Sequence, residues 1–417
     1  MITASIIGTA VEWYDFFLYG TVATIVFPHL FFPQANAFVG TLLSLTTFLI
    51  GFIARPIGAM VFGHSGDRVG RKSTLVVTLL LTGVATFAIG LMPGYNSIGV
   101  AAPILVSLLR FCQGLSIGGE WGGSVLLAIE YGHEGNRGFW ASWPQVGLPL
   151  GLVLSSVAIA VFQSISGNHF GDWGWRVPFF LSAALVFIGL YIRLRIQETP
   201  LFAKFLEEKR TASAPVLEVI MKNWKEILLS MGAKFTEQAP LYIFQTFILI
   251  YGVTYLHLDK QLIFVSIGVG ALLEVFTIPL FSRLADYIGH KRCYLIGCVI
   301  MLLYVFPYFL LLNTKNSFLV STSIILSFAL CHAFVYGPQA ALIAEQFSTK
   351  LRFSGASLGY QLSAPFAGGL GPIIAVTLLQ YAHGSFVPVS LFLAVIAVIS
   401  FCSVLGLKEM SRASIAD

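Results

Sequence analysis

Runs of about 20 apolar residues, separated by short polar turns, recur from one end of this chain to the other. As helices, each is long enough to cross roughly 30 Å of hydrocarbon. The runs are continuous rather than alternating, so they read as helices and not as barrel strands. Twelve spans are expected, over 4–27, 38–62, 73–92, 101–129, 139–163, 176–195, 225–256, 262–284, 293–312, 317–344, 354–381 and 386–407. The first starts almost at Met1 without a separate charged region or a small-residue cleavage site, and reads as a true helix rather than a signal peptide.

Composition points the same way. Hydrophobic residues make up 57% of the 417 and charged residues 10%. A soluble domain carries about 25% charged residues, so this chain lacks the charge to cover a water-facing surface. The 24 Lys and Arg then orient it. With the N-terminus inside, only Arg176, Lys260 and Lys315 fall outside, Arg55, Arg110 and Lys234 lie within spans, and all the others face the cytoplasm. Both termini are therefore expected to be cytoplasmic. The net charge of +5 reflects this topology and calls for no nucleic-acid partner. The five cysteines are scattered through spans and suggest neither a disulfide framework nor a metal site.

One long polar stretch, 196–224, divides the chain into an expected N-terminal six-helix bundle (1–195) and a C-terminal one (225–417). The two halves repeat one another. Phe62–Lys72 follows span two, and Phe281–Lys291 follows span eight 219 positions later. Glu130 and Arg137 close span four, and Glu345 and Arg352 close span ten with the same separation. Parallel repeats of this kind place a binding site between the halves near mid-membrane, opened alternately to each side.

Gly63-His64-Ser65-Gly66-Asp67-Arg68-Val69-Gly70-Arg71-Lys72 resembles the cytoplasmic loop signature of the major facilitator superfamily, and Arg110-Phe111-Cys112-Gln113-Gly114 resembles its intramembrane arginine motif. Four further strings are similar to the metabolite:H⁺ symporter family within it: Glu12–Phe16, Arg55–Gly58, Gly118–Gly123 and Trp173–Phe179. The resemblance covers the whole chain and implies twelve helices in two pseudo-symmetric halves. It also implies bacterial inner-membrane location and transport of a carboxylate such as shikimate or α-ketoglutarate, or of proline or glycine betaine. The loop residues Gly63, Asp67, Arg68, Gly70, Arg71 and Lys72, with Glu130, Arg137, Asp286, Gly289, Glu345 and Arg352, are the expected cytoplasmic gate. Asp67 is suited to accept from helix N-terminal amides and from an arginine of the facing half, holding the cytoplasmic side shut. In the second loop, His290 and Ser282 replace a common arginine and glycine, which weakens the expectation there.

A charge at mid-membrane costs at least about 2.5–3.5 kcal/mol, so each is a candidate for function. They are Glu12, Asp15, Arg55, Arg110, Glu120, Lys234, Glu237 and Glu274, with His332 as a titratable neighbour. Spans one, four, seven and ten line the cavity of the resembling fold, and they hold six of these charges and His332. Glu12 and Asp15 share a helix face, where two carboxylates resist ionising together. Asp15 is the expected proton carrier with Glu12 in support and Arg110 as a switchable partner; a static bridge from span one to Arg110 is the other reading. Glu120 is either a proton-coupling residue or a cap on a neighbouring helix. Arg55 and Glu274 are read as structural bonding groups. Lys234, with Arg110, is a candidate anchor for a substrate carboxylate, unless it is held in an internal pair with Glu237. Tyr14, Gln113, Trp143, Gln145, Tyr242, Gln245, His332, Tyr336 and Gln361 are candidate cavity-lining donors and rings.

The expected activity is therefore transport rather than catalysis: proton-coupled symport of a small organic acid or zwitterion, by a monomer embedded in the bilayer. No cofactor is expected beyond the coupling proton, since no phosphate-binding loop or metal-spaced cluster occurs. Proton-coupled export and uncoupled facilitation by the same fold remain the alternatives. Export is the weaker, because span five offers only Gly147-Leu148-Pro149-Leu150-Gly151 where drug exporters carry a glycine-proline motif.

Overall fold

A computed structural model describes residues 2–68, 71–131, 135–194, 215–348 and 351–412, and excludes the side chains of 2–4, 67, 68, 71, 130, 131, 192, 193 and 215. Twelve long helices follow in order: α1 (Ile2–Ile25), α2 (Ala37–Arg68), α3 (Arg71–Leu91), α4 (Ala101–Tyr131), α5 (Arg137–Ser166), α6 (Arg176–Leu194), α7 (Trp224–Tyr242, continuing to 255), α8 (Lys260–Ile288), α9 (His290–Asn313), α10 (317–344), α11 (352–381) and α12 (Val387–Gly406). Each expected span falls on one of them. Among the described residues, nine are long and apolar enough to cross a membrane on composition alone, and 176–191 is apolar but shorter. The other two are α1 and α7, the helices that carry Glu12 with Asp15 and Lys234 with Glu237. The expected linker at 196–224 lies largely outside the described residues; its end forms a short helix, Pro215–Lys222, with Val219 buried.

The distribution of polarity is that of a chain dissolved in lipid. Arg55, Arg110, Lys234, Glu237 and Glu274 are buried, while Phe187, Phe276 and Leu303 are among the large apolar side chains left exposed. In hydrocarbon an exposed apolar side chain is solvated, and the helical ladders satisfy the backbone.

Within the N-terminal half, α2 and α4 meet backbone to backbone. A Cβ at Gly114 would overlap the Gly51 carbonyl, one at Gly118 the Arg55 carbonyl, and one at Gly58 the Leu115 carbonyl. Small residues are what allow such an approach, and close packing is what holds helices together where the hydrophobic effect is absent. The halves then face one another through two symmetric pairings, α5 with α8 and α2 with α11. Toward the outer surface α5 and α8 diverge around a cleft of about 700 Å³ between Val153–Ser164 and Asp259–Leu272.

C-terminal helices are less regular. π-helical turns interrupt α7 at Ile243–Phe247 and Tyr251–Tyr255, α10 at Ser327–His332 and α11 at Ala364–Gly369. Each adds a residue to a turn and so rotates the face that follows.

Gly118→Val should cost roughly 1–3 kcal/mol by forcing α2 and α4 apart, whereas Gly268→Val, with nothing within 4 Å of the added Cβ, should be near neutral. Thermal melting of the detergent-purified variants, followed by size-exclusion recovery, checks the difference.

Candidate functional site

At the centre of the C-terminal half, four ionisable side chains from three helices form one chain of contacts. Lys234 Nζ donates to Glu237 Oε2 at 2.7 Å. The other Glu237 oxygen lies 3.3 Å from His332 Nε2, and His332 Nδ1 bonds Glu274 Oε1. All four are fully buried. The ammonium of Lys234 also sits 3.1 Å from the centre of the Tyr360 ring, and Tyr336 stacks on the His332 ring at 5.0 Å. The internal Lys234–Glu237 pair is thus present. Glu274, expected to be a structural group related by the repeat to Arg55, is instead the terminus of this network.

The N-terminal half is arranged differently. Asp15 is buried with no hydrogen-bond partner on either oxygen. The groups facing it are Ser182, Thr86 and Arg110. The expected Asp15–Arg110 bridge is not formed: Arg110 Nη1 donates to Gln113 Oε1 at 3.0 Å, and Gln113 Nε2 donates to Thr86 at 2.6 Å. The guanidinium lies over the rings of Phe16 at 4.1 Å and Tyr19 at 4.3 Å. Arg55 shares the Phe16 ring, at 4.3 Å, and also contacts Phe52 at 4.6 Å. Its Nε and Nη2 have no hydrogen-bond partner and the guanidinium rests on aromatic faces. Cation–π contact explains how two guanidiniums persist here, since such a contact contributes about 2 kcal/mol or more when desolvated. Glu12 is buried one turn from Asp15. Glu120 accepts from Thr78 at 3.3 Å and Ser124 at 3.2 Å, which ties α4 to α3.

The cytoplasmic ends of the halves are joined. Asn136, at the N-cap of α5, makes no side-chain cap. Asp286 of α8 supplies it instead, accepting from the amides of Gly138 at 2.7 Å and Phe139 at 2.9 Å. A carboxylate at a helix N-terminus satisfies free N–H groups and the dipole together. His290 bridges Asp286 at 3.1 Å and Glu345 at 2.9 Å, and Arg137 reaches Glu345 at 3.8 Å. The histidine that weakened the sequence expectation is therefore the centre of the latch. The role expected of Asp67 is performed by its repeat partner, Asp286; the side chains of Asp67, Arg68, Arg71 and Glu130, and Gly70 as a whole, lie outside the described residues. Gly63 and Gly66 pack on Ser354 and Phe353 of α11. Gly289 adopts φ +101 beside Glu409. Lys72 donates to the Leu194 carbonyl, and Arg352 to that of Phe347.

These features agree with what the chain resembles. The family model of the Major Facilitator Superfamily matches residues 5–372. The chain belongs to the major facilitator superfamily. Across 427 aligned residues it is 37% identical to the inner membrane metabolite transport protein YhjE of Escherichia coli K12, covering 100% of this chain and 95% of that one. It is 37% identical to the E. coli K12 shikimate transporter, covering 98% and 94%, and 32% identical to the E. coli K12 proline/betaine transporter, covering 99% and 83%. A solved structure of the proton:xylose symporter XylE superimposes with a TM-score of 0.77 at 15% identity, over 100% of this chain and 97% of that one, a likeness of fold. The chain is a multi-pass membrane transporter of metabolites and not an enzyme.

In this facilitator the uncharged candidates are placed in several ways. Tyr14 turns away from the centre, its hydroxyl donating to the Pro178 carbonyl of α6 at 2.7 Å. Gln145 and Gln361 cross between halves: Gln145 accepts from Trp121 and donates to the Tyr336 carbonyl at 2.8 Å, and Gln361 donates to the Ile117 carbonyl at 3.1 Å. Gln245 crosses nearer the outer side, donating to Thr21 at 3.3 Å. Tyr242 of α7 packs among Phe16, Phe48 and Phe52 of the other half, and its hydroxyl and that of Tyr336 have no hydrogen-bond partner. Trp143 is half-buried against Phe139. Two contributors escaped the sequence reading. Trp121 stacks on Tyr360 across the halves at 3.6 Å, and Glu409, beyond α12, accepts from the His290 and Lys291 amides to cap α9. Trp121 stood within the Gly118–Gly123 string without a role of its own, and nothing in the pattern around Glu409 marks it.

Asp286→Ala should open the cytoplasmic face. Hydrogen bonds to a charged group contribute about 1.5–3 kcal/mol each, so losing two shifts the closed–open balance by at least roughly tenfold. Spin-label distances between Asn136→Cys and Tyr287→Cys, in a background without native cysteines, should lengthen relative to the same pair with Asp286 intact.

Proposed function

We propose that this chain is a proton-coupled symporter in the bacterial inner membrane, importing a small carboxylate or zwitterionic metabolite by alternating access. The observation that carries the reading is Asp15, a carboxyl group fully buried in α1 with no hydrogen-bond partner and with Arg110 as the facing cation. Neutral, it can sit beside the Ser182 and Thr86 hydroxyls without a counter-charge. Charged, it needs water or Arg110. A group that alternates between two such environments as the halves rock is a proton carrier. Glu12 supports it on the same face, and Lys234 over the Tyr360 ring is the cation from the opposite half that would receive a substrate carboxylate. That relatives include a shikimate transporter and a proline/betaine transporter supports both the substrate size and the presence of a carboxylate in it.

Purified protein in liposomes with an imposed inward proton gradient, offered labelled shikimate, α-ketoglutarate, proline and glycine betaine, tests the reading. One of these should accumulate above equilibrium and lose that accumulation on adding an uncoupler. Asp15→Asn should still equilibrate the substrate but concentrate it no more than the uncoupled protein does. Accumulation unchanged in Asp15→Asn would remove Asp15 from the coupling role, and equilibration indifferent to the gradient would make the protein an uncoupled facilitator.

A further inference from the structure

His332 is placed between two carboxylates. Its Nε2 faces Glu237 and its Nδ1 faces Glu274. It closes the π-helical turn Ser327–His332, and that added residue sets the direction in which the ring emerges from α10. A neutral imidazole has one N–H, so it cannot donate to both neighbours. Either the ring is an imidazolium between two carboxylates, or it is neutral and one carboxyl group holds the proton. Both descriptions contain the same proton, and the triad carries one net negative charge. Lys234 on the far oxygen of Glu237 brings the four groups to neutrality.

The surroundings allow little else to compensate. Tyr336 stacks on the imidazole, Tyr360 lies beneath the ammonium, and Tyr294 of α9 is committed to the Ala233 carbonyl. Among the described residues, Tyr242 of α7 and Arg55 of α2 also lie within electrostatic reach of the Lys234–Glu237 pair. Gln145 of α5 and Ser400 of α12 contribute only neutral contacts nearby. Glu274 Oε2 is buried without a hydrogen-bond partner. An unbalanced charge in such a place costs several kcal/mol, so the number of protons in the triad is bound to the position of the lysine's charge.

We propose that Glu237, His332 and Glu274 form a second proton-binding site, distinct from Asp15, whose occupancy is set by Lys234. With Lys234 on Glu237 the triad holds one mobile proton. When a carboxylate ligand draws the ammonium away, the triad is left with a net negative charge and takes up a second proton from the open side, on the carboxyl group that Lys234 has left. Release of the ligand returns Lys234 to Glu237 and expels that proton. Binding of an anion and binding of a proton are thereby one event within α7, α8 and α10. The ligand step rests on the symport reading above; the dependence of the proton on the lysine's charge does not.

Infrared spectroscopy of the purified, substrate-free protein tests that dependence through the C=O band of protonated carboxyl groups, identified by its shift in D2O. Lys234→Met removes the cation and should gain one protonated carboxyl over wild type at neutral pH. Lys234→Met/Glu237→Gln should lose it again, and Lys234→Arg should not show it. His332→Gln leaves the Lys234–Glu237 pair intact and strands Glu274, so Glu274 should hold the triad's proton as a carboxyl band that disappears in His332→Gln/Glu274→Gln. The same differences should appear in an Asp15→Asn background. Absence of the extra band in Lys234→Met overturns the proposal, as does a band in either variant that survives the paired glutamine substitution. The spectra need neither substrate nor gradient, so failed accumulation in liposomes and failed band gain are separate results.

Discussion

Hydrocarbon offers a charge no partner, and the placement of the buried ionisable side chains among the described residues answers to that constraint. A carboxylate or ammonium taken out of water loses solvation that only another protein group can replace. The C-terminal half meets the cost by pairing: Lys234, Glu237, His332 and Glu274 neutralise one another in a single line. The N-terminal half meets it with aromatic faces, setting Arg55 and Arg110 on either Phe52 or Tyr19 and on a shared Phe16. One half thus holds balanced charge and the other holds cations over rings.

The same economy governs the cytoplasmic ends. Two amides at the start of α5 are left without an intrahelical acceptor, and Asp286 from the opposite half takes both. Because that cap belongs to the other bundle, α5 is fully satisfied only when the halves are together on this side. His290 and Glu345 extend the contact, so that closure is built from hydrogen bonds that water can replace once the face opens. A latch of this kind is firm in one state and costs little to exchange.

Most of the architecture was legible in the chain. Continuous apolar runs determine the twelve helices, because lipid leaves few other solutions, and the one-sided distribution of Lys and Arg sets the orientation expected of them. Charges inside spans pointed to α1, α4, α7 and α10 for a related reason. Pairing was harder to read. Periodicity places Glu237 and Lys234 on one face, but no local rule brings His332 from 95 positions away to Glu237, or Glu274 from α8 to His332. Tyr14 lay on a central helix and yet turned to α6, because an α-helix in a bundle has both inward and lateral faces. The π-helical turns carry no sequence signature, and they set where the later side chains of α7, α10 and α11 point.

Those turns, set beside the glycine seam of α2 and α4, make the protein mechanically lopsided. Where carbonyls of one helix occupy the space a Cβ would need on the next, as at Gly58, Gly114 and Gly118, sliding or tilting of either helix alone is blocked, and the pair moves as a stiff plank. A π-helical turn is the opposite: its wider loop of backbone can pass a residue along the helix without breaking the ladder on either side. Among the described residues, the one such stretch in the first half lies at the outer end, Phe170–Gly174, whereas the second half has four within its spans. Any rocking of the halves would be shared unequally, with the first bundle as the anvil and the second as the spring.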